Sequence, residues 1–249
     1  MLPESDTISV ILNCYKRLDS LPLQISAIEN QTIKPIEIFI WVNASEEYKT
    51  SNKSIFNKYK TVISNFNFGV WSRFYHAMNT TGKYVCVFDD DTIPGTKWFE
   101  NCLSEMKKRE GLYGTRGVIF DPSRDYRIAG DVGWHSGNLQ TSEVDIVGHS
   151  WFFPRHFISA FCADTTIPYS SICGEDMHFS YTIQKFLKAK TFVPPHPVTD
   201  LQMWGSIPQH GIHWGTDQNA ISNRSDIDEK FKSSLNLYRS KGFKLFLDK

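Results

Sequence analysis

The sequence predicts an α/β fold built on an open sheet, and three observations carry that prediction. Short β-branched apolar runs alternate with stretches of helical spacing through the first ~110 residues. A strongly apolar run, Tyr84–Phe88, passes directly into Asp89-Asp90-Asp91. An amphipathic stretch beginning after Gly174-Glu175-Asp176 supplies a helix late in the chain.

In order, Ile8–Leu12 reads as a buried strand and Leu18–Glu29 as a helix with Leu21, Ile25 and Ile28 on one face. Ile36–Val42 is a second strand, and strand, helix and strand at this spacing form a right-handed βαβ unit. Val62-Ile63 is a short third strand. Trp71–Met78 reads as a helix ended by Asn79-Thr80-Thr81-Gly82. Lys97–Lys108 is an amphipathic helix. In the second half, Tyr113–Phe120, Glu143–Val147 and Thr191–Val193 read as strands, and Ser225–Lys241 as a terminal helix. In Met177–Leu187, Phe179, Ile183, Phe186 and Leu187 share a face. Residues 196–223 show no period, which predicts a long functional loop with Gly205, Gly211 and Gly215 as hinges.

The chain of 249 residues is long enough to bury a core without metal or disulfide staples. Its 27 basic and 27 acidic residues balance, which argues against a general nucleic-acid binder. No apolar run approaches the ~18 residues of a membrane span, although peripheral association with a membrane stays compatible. The N-terminus lacks the pattern of a signal peptide, and the five cysteines, odd in number and scattered, make no CxxC pair. Reduced cysteines and a cytoplasmic location are expected.

Asp89-Asp90-Asp91 is the strongest chemical signal. Adjacent carboxylates repel unless solvated or paired with a cation, and ligands of open α/β sheets bind beyond the carboxyl ends of strands. Hard oxygen donors there suit Mn²⁺ or Mg²⁺ bridging to phosphates; a solvated acidic turn is the alternative. Glu175 and Asp176 at a helix start suit both capping and catalysis. At the exit of the first strand, Asn13-Cys14-Tyr15-Lys16-Arg17 offers aromatic and polar groups to a nucleobase, with Asn43 beside it at the second strand's exit. His149 and Trp151, within Val147–Phe153, suit an acceptor sugar, with core packing the equal alternative for Trp151. Trp134 and His135 invite the same functional reading.

Taken together, these segments resemble the GT-A fold glycosyltransferases, in their family-2-like and exostosin-like branches. Ile8–Arg17 looks like their first strand and base-binding turn. Ile36–Ser45 looks like their second strand, although Asn43 stands where many members have Asp. Arg73 followed by Gly82-Lys83-Tyr84, then Asp89–Asp91 as the DxD motif and Gly174-Glu175-Asp176 as the ED motif, complete a match over roughly residues 8–200. The resemblance implies one GT-A catalytic domain over residues 1–249, Rossmann-like, of the nucleotide-diphospho-sugar transferase type, with a mixed sheet flanked by helices. Residues up to about 110 would form its nucleotide-sugar half and about 111–249 its acceptor half. Asp91, helped by Asp89, would hold Mn²⁺ or Mg²⁺ on the diphosphate, and Asp89 and Asp90 would reach the ribose. Cys14, Tyr15, Arg17 and Asn43 would line the base site, with uracil expected, and Arg73 would stabilise the nucleotide. His213 or His210 would complete the metal shell, as a C-terminal histidine does in some of these enzymes. Asp176 would be the general base, and Glu175 would hold the acceptor, a glycan or glycoconjugate hydroxyl. In-line displacement would invert the anomeric centre.

The rivals fare less well. A sugar nucleotidyltransferase needs a glycine-rich phosphate loop after the first strand, and this exit has no glycine. No GxGxxG follows a strand, so a nicotinamide oxidoreductase is disfavoured. A non-catalytic Ca²⁺-dependent sugar-binding module would ignore UDP, which separates it experimentally.

Overall fold

A computed structural model describes residues 6–124, 126, 128–134, 136–165, 172–215 and 220–248; His135 lies outside them. β1 (Ile8–Cys14) is buried along nearly its whole length, as a central parallel strand covered on both faces must be. α1 (Leu21–Glu29), β2 (Glu37–Val42), α2 (Glu46–Thr50), β3 (Lys60–Ile63), α3 (Ser72–Tyr75), β4 (Tyr84–Phe88) and α4 (Trp98–Lys108) follow. They give four parallel strands in the order β3-β2-β1-β4.

The second half extends this sheet. β5 (Gly111–Phe120), β6 (Ile128–Val132), β7 (Ser142–Val144) and β8 (Ile146–Pro154) lead into α5 (Phe157–Ala163) and α6 (Glu175–Leu187). β9 (Lys190–Val193), α7 (Pro208–Gly215) and α8 (Ile227–Ser240) complete the chain. The order continues β4-β8-β5-β9-β7, with β6 paired to β5. β8 is antiparallel to both β4 and β5, so the sheet is mixed, as expected.

Two apolar layers sandwich it. Leu21, Ile25, Trp98 and Phe99 pack on one face; Phe74, Phe157, Phe161, Phe179 and Ile183 pack on the other. α8 lays Leu235 and Tyr238 against Met177 and Tyr181 of α6, so the first half of α6 is buried nearly all round. Phe186, expected on its docking face, is 44% exposed instead.

Two further expectations are corrected. The strand read over Glu143–Val147 is broken at Asp145, whose carboxylate turns to accept from the Phe120 and Phe246 amides at 2.7 and 2.5 Å. Val147–Phe153, expected to line the acceptor site, forms the body of β8. The stretch 196–223 contains α7 and short 3₁₀ turns, and Gly205 and Gly211 serve close packing. A Cβ at Gly205 would stand 2.1 Å from Thr115 Oγ1, and one at Gly211 would stand 2.4 Å from the Trp134 ring, so close packing requires glycine at both. Among the described residues no helix is long and apolar enough to cross a membrane.

Candidate active site

The carboxyl ends of β1, β2 and β4 converge with the start of α6. Asp89–Asp91 leaves β4 on a turn whose backbone is held from α1. Gln24 Nε2 donates to the carbonyls of Asp89 and Thr92, both at 2.7 Å, and Ser20 Oγ donates to that of Asp90 at 2.5 Å. Sequence reasoning missed both. The signal for Gln24 was present: a glutamine sits in the Leu21/Ile25/Ile28 stripe, and a fully buried amide there needs partners.

Two arginines brace the acidic turn. Arg17 Nη1 meets Asp90 Oδ1 at 2.6 Å and Asp91 Oδ2 at 3.5 Å. Arg73, 3% exposed, pairs through Nη1 with Asp89 and through Nη2 with Glu175 at 2.7 Å. Its guanidinium lies 4.5 Å from the Trp151 ring centroid and 5.3 Å from that of Phe74. Burial works against the Arg73 charge, but the surrounding carboxylates hold its pKa above the ordinary value. The arginine is therefore a strut inside the protein, joining the end of β4 to α6.

This strut separates the two acids at the α6 start. Gly174 adopts φ 94°, a left-handed conformation that favours glycine, and turns the chain into the helix. Glu175, 7% exposed, points at Arg73; its burial raises its pKa while Arg73 opposes the shift. Asp176 is only half-buried, and its Oδ1 accepts from the Met177 amide at 2.7 Å. Burial, opposed by that bond and by Arg73, pushes the Asp176 carboxyl up to about 6.

Several expected site residues face elsewhere. Glu175, expected to hold the acceptor, is turned into the protein. Trp151 is 2% exposed and packs on Arg73 and Phe74, so it presents no face to a sugar. The Cys14 thiol lies in the core cluster, and burial pushes it up to about 12. Asn43 donates to Asn67 Oδ1 (2.8 Å) and the Gly69 carbonyl (3.1 Å) and accepts from the Phe68 amide, so it shapes the loop after β3. An aspartate there has no N–H for those two acceptors, which accounts for the departure from the commoner Asp. The Tyr15 hydroxyl, half-exposed, accepts from that loop through Asn67 Nδ2 at 3.0 Å. The buried Asn13 Oδ1 beside it has no hydrogen-bond partner.

His213 lies on α7 with an exposed side chain. The imidazole that stands beside Asp91 is that of His149, with Nδ1 4.0 Å from Oδ1. Among the described residues no three His, Cys, Asp or Glu side chains already surround one point. The donor set still suits a hard divalent cation: five carboxylates (Asp89, Asp90, Asp91, Glu175 and Asp176) face two guanidiniums (Arg17 and Arg73). Desolvation and the neighbouring Asp89 and Asp90 raise the pKa of Asp91, the response of a carboxyl short of positive charge.

The model of glycosyl transferase family 2 matches residues 9–167, a span of more than half the chain. The chain belongs to glycosyl transferase family 2. That makes it a glycosyltransferase, and of the two branches in the resemblance family 2 is the one matched. Its fold is similar to that of S. aureus TarS. A TarS structure of residues 1–349 aligns at 13% identity and TM-score 0.51, covering 75% of this chain and 57% of that one. The same TarS segment in complex with UDP-GlcNAc aligns at 13% identity and TM-score 0.50, covering 75% and 55%. A further TarS structure aligns at 12% identity and TM-score 0.50, covering 75% and 35%. The alignment thus spans little more than half, or less, of each TarS chain. No curated protein matches.

Proposed function

We propose that this glycosyltransferase moves a sugar from a UDP-sugar to a hydroxyl of a glycan or glycoconjugate, inverting the anomeric carbon and depending on Mn²⁺ or Mg²⁺. One observation carries the reading: Arg73 ties Asp89 of the acidic turn to Glu175 at the start of α6. Two acidic clusters 84 or more residues apart in sequence therefore share one site at the carboxyl end of the sheet, where α/β ligands bind.

Each residue then has a task. The Tyr15 ring and the unpartnered Asn13 Oδ1 offer a stacking face and an acceptor for a base with an N–H, as uracil has. The UDP-GlcNAc complex of TarS, on a similar fold, motivates the uridine nucleotide. Arg17 holds Asp90 closely and Asp91 more loosely, at 2.6 and 3.5 Å. Asp91 and Asp89 would hold the divalent cation, which supplies positive charge where the leaving diphosphate becomes more negative.

Asp176 takes the proton. As the acceptor oxygen bonds to the anomeric carbon, the bond from that carbon to the diphosphate breaks, and the hydroxyl proton passes to the Asp176 carboxylate. A carboxyl raised to about 6 is ionised at neutral pH yet more basic than an ordinary aspartate, which suits a general base. Glu175 cannot share the task while Arg73 holds it. Two carboxylate sets, one for the leaving group and one for the nucleophile, match a single displacement with inversion.

A panel of UDP-sugars, each incubated with Mn²⁺ and followed for released UDP, tests this reading. One donor should be turned over slowly even by water, and its turnover should stop in EDTA. Turnover of no donor, together with no UDP binding, would refute it.

A further inference from the structure

The imidazole beside the acidic turn is held with unusual care. His149 sits within β8 at φ 66°, a left-handed conformation costly for a residue with a Cβ. Its carbonyl accepts from the Asp89 amide at 3.0 Å, which ties its backbone to the acidic turn. Its ring stacks on Trp134 with centroids 4.1 Å apart and planes at 23°. Trp134, 9% exposed, is backed by α7 at Gly211, where a Cβ would stand 2.4 Å from the indole. Helix, indole and imidazole thus form a column that ends at Asp91.

The distance at the end of that column is informative. At 4.0 Å, His149 Nδ1 and Asp91 Oδ1 are too far apart for a hydrogen bond. Two ligands of one octahedral ion with bonds of about 2.1 Å stand about 3 Å apart when cis and about 4.2 Å when trans. The observed separation falls in that range. It fits two donors spaced to share an ion.

We infer that His149 is a ligand of the divalent cation alongside Asp91, in the role that the sequence assigned to His213, and that Trp134 positions it. The inference rests on the proposed cation site at Asp91. A strained backbone persists where the surrounding structure over-determines it, and here it aims a ring nitrogen at the Asp91 carboxylate. The stack on Trp134 fixes the ring plane, as partners around a metal-binding histidine do.

The test uses the full chain and Mn²⁺, titrated with and without UDP and read by electron paramagnetic resonance of the free ion. Glycine and asparagine both tolerate φ near +60°, so H149G and H149N keep the backbone while removing the ring. Both should weaken Mn²⁺ binding about ten-fold or more, whereas H213A should match the wild type. The nitrogen modulation of the Mn²⁺ electron-spin echo should be present in wild type and H213A and absent in H149G. Wild-type Mn²⁺ affinity in H149G and H149N, with D91N weakened, would overturn the assignment of His149 alone. Wild-type affinity in D91N would overturn the cation site beneath it.

Discussion

Replacing Arg73 by methionine should destabilise the protein severely, and the structure sets the size of the effect. Methionine keeps much of the aliphatic packing against Phe74 and Trp151 but removes the charge that faces Asp89 and Glu175. Deleting one partner of a buried ion pair costs about 3–5 kcal/mol, because the other charge stays buried without compensation. For a chain of 249 residues this lowers Tm by roughly 10 °C. Glu175, buried and already raised by desolvation, can relieve the strain by taking up a proton. Its folded pKa in the variant then lies well above its unfolded value. The stability it contributes is present at low pH and lost as pH rises; because the wild-type carboxyl already stands at about 8, the deficit relative to wild type should stay nearly level below that pH and grow as pH rises through it. The double variant R73M/E175Q should recover about 1–2 kcal/mol of the loss, since glutamine leaves no charge to neutralise. Urea unfolding of wild type, both single variants and the double variant closes the cycle. A loss below about 1 kcal/mol in R73M, or strict additivity in the double variant, would refute the strut.

Other expectations follow from the same geometry. D176N should keep UDP binding while transfer falls roughly 10²–10⁴-fold, measured by steady-state kinetics at saturating donor. In the wild type the base must be ionised, so kcat should fall as pH drops through about 6, and a pH-rate profile flat to pH 4.5 would contradict the assignment. D91A should abolish Mn²⁺-dependent transfer, and EDTA should do the same to the wild type; full activity in EDTA would remove the metal from the account. Y15A should raise the donor KM more than it lowers kcat, the pattern of lost uniform binding, read from initial rates across donor concentration. G211V should cost about 1–3 kcal/mol in urea unfolding, because its side chain must displace the Trp134 ring, and wild-type stability would show that the contact yields freely.

Much of the nucleotide-binding half was legible in the sequence because buried parallel strands read as continuous β-branched runs. β1, β2 and β4 were found within two residues at either end, and the acidic turn after β4 marked the end of the sheet that carries the site. The second half was less legible for physical reasons. β8 carries Gly148, His149 and then five consecutive buried residues, a pattern without the alternation of a half-buried strand, because both its faces are covered. α5 has only seven residues and too little length to show a period. The direction of side chains was the harder matter. Arg73, Glu175 and Trp151 belong to the site in sequence order, but they spend their contacts on one another inside the protein, and no local pattern distinguishes a buried guanidinium from an exposed one. Likewise, the resemblance implied His213 or His210 as the imidazole beside the acidic turn. The sheet instead places β8 beside β4, which brings His149 to Asp91.

The central claim, a nucleotide site completed by a divalent cation at Asp91, is tested most directly by the thermal stability of the protein with UDP and Mn²⁺ added singly and together. A ligand that binds only the folded state stabilises it by about 2.7 kcal/mol at one hundred times its Kd. For a chain of this length that is a rise in Tm of roughly 5–10 °C. The account predicts this rise with UDP and Mn²⁺ together, a smaller one with either alone, and its loss in D91A. An unchanged Tm with both ligands, or an equal rise in D91A, would contradict it.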